Sequence, residues 1–348
     1  MKIIHLLQSP FFSGAENVVC QIMKMFISDD KIEMVYVSPN GPIKESIESK
    51  GFTYIGLDNF TVRYIRKVIK EQKPNIIHAH DISSSLLACL STIGLNVQII
   101  SHVHVNNANM AKFNLKTLLY YISSFRYKHI FWVSPSCFES YRFQKGLAKK
   151  SSILCNVMDK EDIFIRASEN KDTISYDIVY VGRLAYQKNP ERLLKVLCKV
   201  IEKLPNIKIG IVGDGALLAQ TKIQAESMEL LNNIDFLGFQ SNPLKILSKA
   251  KVMVMTSRYE GLPMTVLEAL ALGIPIVSTP VDGLLNVISN GQNGFLTEND
   301  DLFVEKVCSI VKDSSLRESL SINAKNRFDK ICDLQKYKES ISFVYNKK

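Results

Sequence analysis

The sequence contains no C-x-x-C pair, no Asp-x-Asp and no complete G-x-G-x-x-G in its 348 residues. The first absence removes zinc ribbons and thioredoxin-like chemistry. The second leaves a catalytic divalent metal without an evident carboxylate pair, so no metal is expected. The third argues against a nicotinamide dinucleotide, because Leu218 stands where a third glycine would follow Gly213 and Gly215. No apolar run approaches the ~18 residues of a membrane span. The most apolar stretch, 86–100, is broken by Ser91, Thr92, Gly94, Asn96 and Gln98. The opening MKIIHLLQSPFFSGAENV lacks a cleavage pattern, so no signal peptide is expected. Seven cysteines (Cys20, Cys89, Cys137, Cys155, Cys198, Cys308 and Cys332) are scattered singly, which suits reduced thiols in the cytoplasm.

What is present reads as a soluble chain, 46% apolar and 22% charged, long enough for two cores. Short β-rich runs alternate with helix-length segments, the pattern of parallel α/β architecture. In the first half the strands are expected at KIIHLLQ, IEMVYVS, FTYIGL, NIIHAHD, VQIISHVHV, HIFWVS and SILCNV. Helices are expected at 15–28, 61–72, 83–92, 114–127 and 136–145. The polar stretch 158–175 has no clear period and reads as a linker. The alternation then restarts at YDIVYVGRL and runs to a last helical stretch from 301. Two Rossmann-like domains follow, 1–163 and 174–330, with a tail at 331–348 and a ligand cleft at the carboxyl ends of the strands.

The net charge of +9 is unevenly placed. Residues 112–150 carry eight cations, among them Lys112, Lys116, Arg126 and Lys128, against the single acid Glu139. A second basic run, TVRYIRKVIKEQK, occupies 61–73. These segments are either solvated faces or contacts for an anionic membrane surface or a phosphate-bearing acceptor. Nucleic acid is not expected, because no zinc finger, RNA-binding sheet motif or helix-turn-helix accompanies the charge.

The densest chemistry lies in SRYEGLPMTVLEALALGIPIVSTP, 257–280. A buried strand ends at Ser257, Pro263 suits a first helical residue, and Gly273 suits a cap at the other end. A helix N-terminus there offers free N–H groups to a diphosphate, and Gly261 admits close backbone approach. Glu260 precedes the helix and Glu268 lies inside it. Two carboxylates beside an anion site make sense as acceptors from sugar hydroxyls, since side chains lean toward the helix start. A carboxylate flanked by Leu267, Ala269 and Leu270 is costly without a partner. After the strand DIVYV, Arg183 and Lys188 sit in a loop that Asn189 and Pro190 close as the start of a helix.

The histidines form two pairs, His78-x-His80 and His102-x-His104, each on one face of its strand. The residues themselves offer two readings, hydrogen bonding at strand ends and a zinc site.

VGRLAYQKN, VGDG, FLGF, SRYEGLPMTVLEALALGIPIVST and NGQNGFL stand in the order and spacing of the family 4 glycosyltransferases, which this chain resembles over nearly its whole length. SGAE, HAHD and HVHVNN fit the same family's N-terminal half. The resemblance implies a GT-B fold, α/β with two Rossmann-like parallel-sheet domains facing across a cleft, and a retaining transfer of sugar from a nucleotide-diphosphate donor. It implies that Glu260 contacts the donor sugar and Glu268 the ribose. Arg183, Lys188 and Gly14 would hold the diphosphate, with Gly261, Leu262 and Pro263 around it. It places His104, or alternatively His102, against the donor sugar. It also implies a last helix, 331–348, returning to the N-terminal domain. A UDP-sugar is the expected donor, no further cofactor is expected, and the acceptor is a saccharide or polyprenyl-linked saccharide. The protein is expected in the cytoplasm, peripheral on the inner face of the cell membrane. A sugar-nucleotide epimerase and a non-catalytic donor-binding subunit are the rival readings. Two departures stand out: Ser13 precedes Gly14 where the family has Gly-Gly, and Leu285 and Asn286 replace a frequent Pro-Glu.

Overall fold

The structure, a computed structural model, describes residues 1–104, 108–169 and 174–347. The chain forms two compact units, one of Met1–Asn156 with the segment from Leu334 onward, the other of Val157–Asp333. The first unit is built on β1 (Lys2–Leu6), β2 (Glu33–Pro39), β3 (Thr53–Leu57), β4 (Ile76–His80), β5 (Gln98–Val103), β6 (Tyr127–Trp132) and β7 (Ser151–Ile153). The second uses β8 (Ile178–Val181), β9 (Ile209–Val212), β10 (Ile234–Gly238), β11 (Val252–Met255), β12 (Ile276–Ser278) and β13 (Gly294–Leu296). Their orders are β3-β2-β1-β4-β5-β6-β7 and β10-β9-β8-β11-β12-β13. The pairings within each sheet are parallel.

The sequences of the central strands explain this arrangement. IIHAH in β4, IVYV in β8 and VMVM in β11 are buried at every position. A strand buried on both faces has no use for apolar–polar alternation, and parallel sheets covered by helices on both sides supply that environment. The strand order reverses between β1 and β4 in one unit and between β8 and β11 in the other. Loops diverge at such points and leave a crevice beyond the carboxyl ends of the strands.

The expected linker is partly a helix, Lys160–Ser168. Asp159 caps it by accepting from the Glu161 N–H (3.0 Å), and only Ile163 is fully buried. One buried residue in nine leaves no readable period. The helix belongs to the second unit, where the Asn242 amide donates to the Arg166 carbonyl (2.8 Å). The unit therefore begins at 157, earlier than the expected 163–174. Residues 170–173 of that stretch, and 105–107 of the HVHVNN motif, lie outside the described residues. The helix expected at 136–145 is two short ones, Pro135–Glu139 and Gln144–Leu147. Strand β13, inside NGQNGFL, is too short to show alternation and was not among the expected strands.

The helix Leu334–Asn346 packs in the first unit, burying Tyr337, Ile341, Val344 and Tyr345. Its Tyr345 hydroxyl lies 2.8 Å from His78 Nδ1.

Candidate functional site

In the second unit the loops after β8 and β11 flank the reversal of strand order, and they are knitted together. Arg258 N–H donates to the Gln187 carbonyl (2.8 Å), and the Arg258 guanidinium donates to Asn189 Oδ1 (2.8 Å). The guanidinium also lies over the Tyr186 ring, 4.5 Å from its centroid. Thr256 Oγ1 donates to the Asn189 carbonyl (3.1 Å). Asn189 does begin the helix Pro190–Lys203, but its side chain makes no cap; it sits in the left-handed region (φ 54°) and is taken up by Arg258.

This scaffold brings Lys188 and Glu260 together. Lys188 Nζ is 2.5 Å from Glu260 Oε1, with side chains only 13% and 6% exposed. Gln187 Nε2 donates to Glu260 Oε2 (3.2 Å) and to the Tyr259 carbonyl (3.0 Å). Lys188 is thus paired with a carboxylate 72 residues further along the chain. Arg183 is exposed at the end of β8. The loop carrying it rests on VGDG. Gly213 and Gly215 have φ of 139° and 151°, and a Cβ on either would overlap the carbonyl of Gly182 or Leu184. Those glycines serve backbone packing behind the site.

Gly261 and Leu262 are buried, and the helix Met264–Leu272 follows, with Pro263 at its N-cap and not at its first turn. Gly273, at φ 75°, closes it as expected. Glu268 is buried in this helix, and loss of hydration pushes its carboxyl up from 4.5 to about 7. Arg166 of the Lys160–Ser168 helix opposes that shift and Asp162 adds to it. The departure at Leu285 and Asn286 falls on the exposed surface; the contact with the site is made by Gly283, where a Cβ would overlap the Gly261 carbonyl.

In the first unit a cavity of about 320 Å³ opens at the β1–β4 reversal, lined by Leu7, Gln8, Ser9, Ala15, Glu16, His80 and Asp81. Gly14 starts the adjoining helix Gly14–Phe26, with nothing within 4 Å of where its Cβ would stand. Ser13 Oγ donates to Glu16 Oε2 (2.5 Å), which ties the loop to its own helix.

The two histidine pairs do share one face of the sheet, and His5 of β1 joins them. His5 lies in register with His78, and His80 with His102. His5 Nδ1 is 3.0 Å from His80 Nε2, and His80 Nδ1 is 2.8 Å from His104 Nε2. Burial holds His5 down at about 3 and keeps the other four below the ordinary histidine range. His102 is wholly buried, whereas His104 stands just beyond the end of β5 with its backbone N–H on Asp81 Oδ1 (2.9 Å). Two triads, His5–His78–His80 and His80–His102–His104, have ring nitrogens within 4.8 Å of one another. Since His5 Nδ1 and His104 Nε2 face the two nitrogens of His80 at hydrogen-bond distance, the neutral rings already use those lone pairs on each other.

Of the four cations expected at a membrane or acceptor, two have structural work. Arg126 donates to the carbonyls of Cys89 (2.5 Å) and Thr92 (3.2 Å), at the end of the helix Asp81–Ser91. Lys128 donates to Gln98 Oε1 (2.6 Å) and to the Tyr345 carbonyl (3.1 Å). Cations at helix carboxyl ends complement the helix dipole. Lys112 and Lys116 are exposed, the latter also donating to Ser83 Oγ (2.8 Å).

Sequence reasoning overlooked Gln187, Arg258, Arg166 and His5. Arg258 and Gln187 lay inside quoted motifs, and His5 lay inside the first expected strand.

Two Rossmann-like parallel α/β units, each with loops gathered at a strand-order reversal, make this a GT-B fold. Residues 12–162 match the family described as Glycosyltransferase Family 4, and residues 161–327 match Glycosyl transferases group 1. The chain belongs to the family 4 glycosyltransferases. It is 31% identical over 62% of its length to an uncharacterized glycosyltransferase of Methanocaldococcus jannaschii, and spans 58% of that relative. It is 25% identical to the Escherichia coli UDP-Gal:alpha-D-GlcNAc-diphosphoundecaprenol alpha-1,3-galactosyltransferase, covering 100% of this chain and 98% of the relative. The crystal structure of Anabaena HepE in complex with UDP-glucose superposes with a TM-score of 0.83, covering 99% of each chain at 18% identity.

Proposed function

We propose that this chain is a retaining glycosyltransferase that moves a sugar from a UDP-sugar onto a saccharide or polyprenyl-linked saccharide in cell-surface polysaccharide synthesis. The observation that carries the reading is the buried Lys188–Glu260 pair at the β8–β11 reversal, one helix start away from a second buried carboxylate, Glu268. Glu260 accepts hydrogen bonds from hydroxyls of the donor sugar, while Glu268 accepts from the ribose. Lys188, Arg183 and the N–H groups at the start of the helix Met264–Leu272 meet the diphosphate. In the first unit, Gly14 and His104 keep the donor-binding roles that the family resemblance gives them.

As the C1–oxygen bond of the donor breaks, negative charge collects on the leaving diphosphate. Preorganised donors aimed at such charge contribute about 3–4 kcal/mol each. The acceptor hydroxyl forms the new bond to C1 on the face the diphosphate leaves, and its proton passes to the departing phosphate oxygen. A separate protein base and a metal ion have no role in this scheme. The Lys188–Glu260 pair has a clear purpose in it: each holds the other in place until the sugar and diphosphate arrive. We place the protein in the cytoplasm, where its seven free thiols stay reduced.

A thermal-shift panel of nucleotide sugars tests the donor assignment. UDP and one or more UDP-sugars are expected to raise the melting temperature, whereas a response confined to other nucleotides, or to none, would overturn it.

A further inference from the structure

The helix Leu115–Ser124 is amphipathic in the wrong sense for a helix that meets only water. A surface helix turns its apolar stripe inward. Here Thr117, Tyr120 and Ser124 face the interior, while Leu115, Leu119 and Ile122 face out, 72%, 45% and 54% exposed. The spacing i, i+4, i+7 puts those three on one side. Phe113 and Phe125, 69% and 70% exposed, extend the stripe at both ends.

The buried polar side is fully engaged. Tyr120 Oη is 2.7 Å from Ser101 Oγ, Ser124 Oγ donates to the Tyr121 carbonyl (2.6 Å), and Asn114 and Thr117 form a reciprocal cap at the helix start. The orientation is therefore set by hydrogen bonds and is not a slipped register.

Charge says what covers the stripe. From Ile82 through Phe138 the sequence has no acidic residue. Lys112 and Lys116 are exposed at the start of the stripe. Two copies meeting through this face would bring these lysines together, and the stripe itself carries no carboxylate to offset them. A phospholipid surface offers both an apolar interior and anionic headgroups.

We propose that this helix is a membrane wedge. Leu115, Leu119, Ile122 and the two flanking phenylalanines enter the acyl-chain boundary of an anionic bilayer, and Lys112 and Lys116 meet its phosphates. The proposal differs from a basic patch alone in requiring apolar insertion, and it does not rest on the transfer reading.

The full chain is floated with vesicles of phosphatidylcholine alone or with one quarter phosphatidylglycerol, at low and high salt. Wild type is expected to bind the anionic vesicles, to weaken several-fold in high salt and to retain residual binding there. The double variant Leu119→Glu, Ile122→Glu changes only exposed positions and is expected to lose at least tenfold in partitioning with an unchanged melting temperature. In Leu119→Trp, the introduced indole should shift to the blue and be quenched by lipids brominated in the acyl chain; Trp132, wholly buried, supplies a constant background. Failure of wild type to float, flotation of the double-Glu variant like wild type, or an unquenched indole would each overturn the wedge. Lipid-free dimerisation that the Glu pair abolishes would assign the face to a second copy and overturn it equally.

Discussion

Glu268→Gln should weaken UDP binding and at the same time stabilise the unliganded protein. The carboxyl is buried, and its pKa is pushed from 4.5 to about 7 by lost hydration. Between those values the folded protein keeps a proton that the unfolded chain has released. Stability from this group is therefore present at low pH and lost as pH rises through 7. Each pKa unit is worth 1.36 kcal/mol, so above pH 7 the ionised group costs the folded state about 3 kcal/mol. Glutamine keeps the shape without the charge. For a unit of this size about 3 kcal/mol corresponds to roughly 6–12 °C in melting temperature. Calorimetric melts at pH 8 and pH 5 measure it: the variant should melt higher at pH 8, and the gap should close toward pH 5. A variant that melts lower at pH 8, or a gap independent of pH, would refute the assignment of Glu268 as a carboxylate held at a cost for its ligand.

Lys188→Ala should lower transfer by roughly 10²–10³ and also destabilise the second unit by about 3–5 kcal/mol, because Glu260 is left buried without its cation; adding Glu260→Gln should restore much of the melting temperature but none of the activity. Glu260→Gln alone should spare binding of free UDP, measured by calorimetry, while damaging transfer. The first unit should lose stability as pH falls below 6.5, since its five buried imidazoles stay neutral when folded but charge in the unfolded chain, and a pH series of melts would show this trend opposite to that from Glu268. Chelator treatment should leave transfer intact; a loss reversed by zinc would instead give the histidine triads a metal.

The parallel architecture was legible because buried strands such as IVYV and VMVM are apolar throughout and each follows a charged residue, Asp177 and Lys251. The motif around Glu260 and Glu268 was legible too, since carboxylates are rare against an apolar background. What spacing did not disclose was pairing. That Lys188 meets Glu260 depends on β8 lying beside β11, a neighbourship that skips two strands in sequence. That Arg126 and Lys128 serve helix ends depends on carbonyls far away in the chain. The helix Lys160–Ser168 stayed hidden because only one of its side chains is fully buried, and the outward stripe at Leu115–Ile122 because a period of 3.6 does not say which face is wet.

The most direct measurement incubates the protein with UDP-sugars labelled in the sugar, together with polyprenyl-diphosphate-linked saccharides. The account predicts label passing into the lipid-linked fraction, one UDP released per sugar, and the donor's anomeric configuration kept in the product by NMR. Label that stays on the nucleotide as an isomerised sugar, an inverted linkage, or binding without turnover for every acceptor would contradict it.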